Sequence, residues 1–161
     1  MALEPKILRT FLSPRDRVVV ANLARAVTFE SGRQGTGYDK ASLLDVIMAD
    51  RLVKIARRAL GEPLLYDAWL LRYPVGSEIP VHTDPPIEGM CHVRLNALAL
   101  ASDGGVLYVD GAELPLDGGD AYLFRPDVMR HMVTKVEANE RLVLSVGANV
   151  DVDHARRLGL A

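Results

Sequence analysis

His82-Thr83-Asp84 places an imidazole and a carboxylate two residues apart. On an extended strand, residues i and i+2 project from the same face, so this pair can grip one metal ion together. His131, much further along the chain in another β-type run, can supply a third ligand. Two imidazoles and one carboxylate on one face of an ion leave three positions open. That arrangement suits ferrous iron in oxygen-activating chemistry, with oxygen and a chelating co-substrate in the open positions. An isolated His-x-Asp is a common chance pair, so the assignment needs context from other residues.

Arg141 supplies that context. It stands downstream of His131 in Glu140-Arg141-Leu142-Val143-Leu144-Ser145, a lone cation inside an apolar strand. Burying a charge without a partner is costly. Val143 and Ser145 share its strand face and Glu140 points the other way, so no acid on that face neutralises it. A dicarboxylate ligand gripped by both prongs of the guanidinium is one solution. A salt bridge to an acid on another strand is the other.

The elements that must position these residues follow from local pattern. Ser13-Pro14-Arg15-Asp16 offers an N-cap, a first-turn proline and an acid, and predicts a helix over about 14 to 28. Residues 30 to 40, with Gly32, Gly35 and Gly37, have no hydrophobic period and read as a mobile loop. A stripe of Leu43, Leu44, Ile47, Leu52, Ile55, Ala56 and Leu60, stopped by Gly61 and Pro63, predicts a second helix over about 41 to 60. Beyond Leu65 the pattern turns to short β-type runs: 66–73, 79–83, 92–100, 106–109, 121–124, 131–136 and 141–146. Asp110-Gly111 marks a tight hairpin between two of them. Seven or eight strands after two helices predict a double-stranded β-helix, the jelly-roll or cupin-like form, with the two helices on one outer face. The whole chain, 1–161, reads as one domain, with helical support over about 1–62 and the β-helix core over about 65–150.

Together His82-x-Asp84, the distal His131 and Arg141 resemble the Fe(II)/2-oxoglutarate-dependent dioxygenases, in particular their small prolyl-4-hydroxylase-like branch. The resemblance spans about Tyr66 to Val146. Leu71-Arg72-Tyr73-Pro74-Val75-Gly76 is similar to the family's Arg-Tyr-x-x-Gly segment. The resemblance implies Fe(II) on His82, Asp84 and His131, with 2-oxoglutarate and O2 as co-substrates. It implies Arg141 and Tyr73 on the far carboxylate of 2-oxoglutarate, and oxidation of an unactivated C–H bond, hydroxylation first. Two positions depart from the family pattern. Ser145 stands four residues after Arg141 where the family has a serine at two, which leaves its role open. Asp84 stands where halogenating relatives carry a small residue, which points away from halogenation.

His92, Arg94, Asn96 and Leu98 alternate with Val93, Leu95, Ala97 and Ala99. The small apolar set should pack on the helices, and Arg94 and Asn96 should then face the barrel as candidate substrate-binding residues. The alternative is the solvent face of an edge strand. Arg72 and Arg125 read as surface charges, His154 as part of a solvated tail, Cys91 as a loop residue and Trp69 as core filling. Segments 31–40 and 85–89 are the natural lids.

A net charge of -2 and a single cysteine bound the rest. They disfavour nucleic acid as a partner and fit a reducing cytoplasm, and no apolar run approaches the ~20 residues of a membrane span. The substrate expected is a small carboxylate-bearing molecule such as an amino acid, with a peptidyl or protein side chain as the alternative. A cupin-like metal-binding or sensory module without turnover is the alternative of another class.

Overall fold

The structure, a computed structural model, describes residues 3–33 and 35–161, so Gln34 within the expected loop and the first two residues lie outside it. The first half holds β1 (Lys6–Leu8), α1 (Pro14–Ala26), β2 (Glu30–Ser31), β3 (Asp39–Ser42), a 3-10 turn (Ile47–Ala49) and α2 (Asp50–Ala59). The second half runs β4 (Asp67–Tyr73), β5 (Ile79–His82), β6 (Cys91–Leu100), β7 (Asp103–Gly104), β8 (Leu107–Val109) and β9 (Ala112–Glu113). It continues through β10 (Ala121–Phe124), β11 (His131–Val133), β12 (Val136–Ala138), β13 (Arg141–Val150) and α3 (Val152–Arg157).

A large antiparallel sheet has the order β1-β10-β6-β13-β4-β3-β2, and a smaller one the order β5-β11-β8-β9. Strand periodicity sorts side chains between two environments. On the helix side, Val93, Leu95, Ala97, Leu142, Leu144, Val146, Ala68 and Leu70 form one core with Val20 and Leu23 of α1 and Leu52, Val53 and Ala56 of α2. Alternate residues on the same strands face the smaller sheet. There Tyr122 and Phe124 pack with Leu107, Val109, Met129 and Val133. This is the jelly roll with helices on one outer face that the strand pattern predicts, and β6 lies at its centre, between β10 and β13, rather than at an edge.

Local chemistry explains the firm boundaries. Ser13 Oγ accepts from the Asp16 amide at 3.1 Å and Asp16 Oδ2 accepts from the Ser13 amide at 3.1 Å, a reciprocal cap with Pro14 at the first helical position. Asp110 and Gly111 adopt φ of 49° and 82°, the left-handed pair that a two-residue hairpin between β8 and β9 demands.

Four expectations need correction. The second helix starts at Asp50, not near 41, because Ala41 and Leu43 are buried while Ser42 and Leu44 are exposed. That is a period of two, and β3 pairs with β4 in the register Ala41 to Leu70. Ile47, counted on the helical stripe, is 92 % exposed. The expected loop over 30–40 contains β2 and the start of β3, which pair as a hairpin extending the large sheet. The tail after Val150 forms α3, capped by Asp151, and buries Ala155 and Leu160 in the helix-side core. His154 is accordingly not solvated: its Nε2 lies 2.7 Å from the Leu60 carbonyl. Cys91 is buried at the start of β6 rather than in a loop. Among the described residues no helix is long and apolar enough to cross a membrane.

Candidate metal centre

His82 ends β5 and His131 begins β11, and the two are direct partners in the antiparallel ladder. Their rings lie 4.2 Å apart. Asp84 follows two residues after His82, its amide donating to the Pro126 carbonyl at 2.8 Å. One ligand atom from each of His82, Asp84 and His131 falls within 4.8 Å of the others. His82 Nδ1 is 2.8 Å from the Pro80 carbonyl and His131 Nδ1 is 3.0 Å from the Met129 carbonyl. Each carbonyl can only accept, so each ring donates from Nδ1 and turns its Nε2 toward the same space. Such outer contacts fix the tautomer of metal-binding histidines. Burial, aided by the neighbouring His82, holds His131 below the ordinary histidine value even though its backbone hydrogen bond works the other way. The neutral ring is the form that ligates. On donor type, spacing and tautomer, these three residues fit a divalent metal.

The turn after β10 braces the group. Arg125 and Asp127 form a two-pronged ion pair at 2.8 and 2.7 Å, and Asp127 also accepts from the His92 amide at 3.2 Å. Arg125 is 8 % exposed, so it is no surface charge. It ties the strand carrying His131 to the start of β6 and, through the Leu160 carbonyl, to the C-terminal segment. Arg72 pairs with Asp39 at 2.7 Å and covers Phe29, a half-buried rather than free surface charge. Phe124 meets His131 edge-on.

The three residues open into a cavity of about 230 Å³ that Tyr38, Trp69, Tyr73, Arg94, Asn96, Tyr122 and Ser145 also line. Arg94 and Asn96 face the barrel, as the alternation of β6 predicts. Arg94 is held by Asp67 at 2.8 Å and by Ser145 Oγ at 2.8 Å, which gives Ser145 a defined contact. Asn96 donates to the Tyr122 hydroxyl at 2.7 Å, leaving its Oδ1 buried with no partner among the described residues. Trp69 is a cavity wall under Lys40 Nζ rather than core filling.

Arg141 is 3 % exposed, and no acid lies within salt-bridge distance of it among the described residues. Its guanidinium sits 5.1 Å from the ring of Tyr73, its ladder partner. Tyr73 lines the metal cavity, whereas Arg141 lines an adjoining one that shares the Leu107 wall. Burial drives the Tyr73 hydroxyl far above its ordinary value, against the opposing pull of Arg141, so it stays a neutral donor.

Sequence reasoning missed Arg33 and Lys40, which reach the mouth of this cavity from the β2–β3 hairpin. Arg33 Nη2 lies 3.4 Å from Asp84 Oδ1. It also missed His92, whose Nδ1 is 3.8 Å from Asp84 Oδ2. Only the shared strand face of His92 with Arg94 and Asn96 was visible in the alternation. Nothing in the unpatterned segment 31–40 marked Arg33.

No protein-family model matches the chain, and no curated protein matches it in sequence. Solved structures do match its fold. A Pseudomonas putida prolyl-4-hydroxylase superposes with a TM-score of 0.70 at 19 % identity, over 91 % of this chain and 92 % of that one. HygX from Streptomyces hygroscopicus, solved with nickel and 2-oxoglutarate bound, gives 0.71 at 11 % identity, over 93 % and 84 %. A prolyl hydroxylase from Trichoplax adhaerens, in complex with a hypoxia inducible factor peptide fragment, gives 0.66 at 19 % identity, over 95 % and 86 %. The chain shares its fold with these solved structures.

Proposed function

We propose that residues 1–161 form a single Fe(II)- and 2-oxoglutarate-dependent oxygenase domain that hydroxylates an unactivated C–H bond of a small carboxylate-bearing molecule. The observation that carries this reading is the convergence of two Nδ1-tethered histidines and one aspartate on a single cavity. His82, Asp84 and His131 would hold the iron. Bound iron would supply oxygen activation, with the keto acid providing the electrons that the substrate does not. Tyr73, as a neutral donor, and Arg141, as a cation with no internal partner, would hold the distal carboxylate of 2-oxoglutarate. The Tyr73 and Phe124 rings and the Leu107 and Val133 side chains would keep water from the reacting centre.

The substrate class rests on charge and size. Arg33, Lys40, Arg94 and Asp84 are the charged groups lining the cavity. Arg94 already has Asp67 and Lys40 has Glu30 at 3.4 Å, and Asp84 would be committed to the metal, which leaves Arg33 as the anion-binding group. The unpaired Asn96 Oδ1 asks for a donor, so a zwitterion such as an amino acid answers both demands. About 230 Å³ lies below the roughly 300 to 1,000 Å³ of sites for drug-sized ligands, which favours a small molecule. A peptidyl side chain is the second reading, supported by the peptide-bound Trichoplax neighbour of the same fold. The lone, buried Cys91 fits a reducing cytoplasm.

The test is substrate-stimulated turnover of 2-oxoglutarate to succinate by the iron-loaded protein, across a panel of amino acids, their methyl esters and short peptides. Mass spectrometry should show a gain of one oxygen in an amino acid and none in its ester. If metal and 2-oxoglutarate bind but no succinate forms with any addition, the chain is a binding module of the cupin type.

A further inference from the structure

The two oxygens of the Asp84 carboxylate face different groups. Oδ1 lies 3.5 Å from His82 Nε2, within the set of three ligand residues that converge. Oδ2 lies 3.8 Å from Nδ1 of His92, whose side chain is only 14 % exposed. His92 stands on β6 two residues before Arg94, and its Nε2 is 3.4 Å from Arg94 Nη2. Arg94 is itself held from two sides, by Asp67 Oδ2 at 2.8 Å and by Ser145 Oγ at 2.8 Å. The backbone of His92 is tied down as well, its amide donating to Asp127. Asp67, Arg94 and His92 thus form a chain of fixed side chains that ends at the second oxygen of Asp84.

That chain decides where the ring carries its proton. A guanidinium nitrogen can only donate, so His92 Nε2 accepts from Arg94. A doubly protonated ring would instead set a second cation against Arg94. The single proton of the neutral imidazole is then on Nδ1, the nitrogen that faces Asp84. An N–H aimed at one oxygen of a ligating carboxylate orients it and leaves the other oxygen for the ion. Resting on the metal reading above, we infer that His92 is a positioning residue for the metal site: in the metal-loaded protein its Nδ1–H closes on Asp84 Oδ2, so that Oδ1 is the oxygen offered to the ion. His92 acts through Asp84 and is not a ligand, since the converging set is His82, Asp84 and His131. An aspartate held to one oxygen would leave three positions free, the number that a chelating keto acid and oxygen together require.

Outer contacts of this kind are worth about 10- to 100-fold in metal affinity. Calorimetric titration of Mn(II) into the parent and into His92→Phe reads that loss without turnover, because the phenyl ring keeps the bulk and removes both nitrogens. Two amide variants add a readout that packing alone would not move. In His92→Asn the side-chain nitrogen can take the place of Nδ1, and Mn(II) binding should return to within about threefold of the parent. In His92→Gln the amide extends to the place of Nε2, toward Arg94, and binding should stay about tenfold or more below the parent. Nitrogen-15 NMR of the Zn(II)-loaded parent, which needs no variant, should find the His92 proton on Nδ1. If His92→Phe does not fold, the amide pair and the NMR measurement decide. A proton on Nε2 overturns the inference, as does an Asn variant that binds Mn(II) no more tightly than the Gln variant. So does a folded His92→Phe that binds within about tenfold of the parent. A parent that binds no Mn(II) at all removes the metal reading itself and this inference with it.

Discussion

Replacing Arg141 by methionine should produce two opposite effects, and their combination separates a ligand anchor from a structural cation. Without ligand, Arg141 is 3 % exposed, with no carboxylate in ion-pair range among the described residues and the Tyr73 ring 5.1 Å from its guanidinium. Exchanging a poorly compensated buried charge for an apolar side chain of similar volume is often neutral or stabilising by about 1 to 4 kcal/mol. In a chain of this length 1 kcal/mol moves the melting midpoint by roughly 2 to 4 °C. The ligand-free variant should therefore melt at the parent's temperature or several degrees above it. With ligand the sign reverses. A charge-assisted bond to a carboxylate contributes about 1.5 to 3 kcal/mol, so binding of 2-oxoglutarate should weaken by roughly 10- to 150-fold. Arg141→Lys should recover part of this, since it restores charge without the two-pronged geometry. The assay pairs thermal denaturation of the metal-loaded, ligand-free proteins with calorimetric titration of 2-oxoglutarate. A variant that melts lower yet binds the keto acid as tightly as the parent would refute the assignment and make Arg141 a structural residue.

His82→Ala and His131→Ala should each lose stoichiometric Fe(II) or Mn(II) binding, read by equilibrium dialysis and metal analysis, while the far-ultraviolet circular dichroism stays that of the parent. Asp127→Ala should destabilise the fold by about 3 to 5 kcal/mol in urea denaturation, because it strands the buried Arg125 guanidinium that the ion pair neutralises. Burial pushes the Asp120 carboxyl up, but the amides of Thr10 and Asp117 and the Arg9 guanidinium together outweigh it and hold the group below its usual range. Its folded value is the lower one, so its contribution is present above the unfolded value of about 3.9 and disappears as the pH falls through the folded value. Acid titration of Asp120→Asn should then show a shallower loss of stability below about pH 4 than the parent shows. Unmodified protein supplied with chloride and an accepted substrate should yield no chlorinated product, because Asp84, as a metal ligand, would take the place that halide needs; chlorination would sink that reading.

Some of this protein was legible one residue at a time. The period of two along 92–99 and 142–146 already separates a helix-facing set from a barrel-facing set, because a strand buried on two different surfaces must alternate. The i, i+2 spacing of His82 and Asp84 needs only an extended backbone to bring them together, and Ser13 with Asp16 caps a helix by purely local hydrogen bonds. Asp110-Gly111 forms its hairpin because few other residue pairs tolerate two left-handed conformations. Where the sequence pointed the wrong way, long-range packing had outweighed local pattern. Residues 41–44 fit a helical stripe and a strand alternation equally well, and only the exposed edge of β4 decides for the strand. Arg125 looks like any charged residue before a proline until the turn folds Asp127 back onto it and the Leu160 carbonyl closes on it from a distant part of the chain. The direct pairing of His131 with His82 is likewise a matter of register between strands some fifty residues apart, which no local preference encodes. The charge of Arg141 was visible from its apolar neighbours. That no acid reaches it from another strand among the described residues was not, because only the assembled strands show which groups face it.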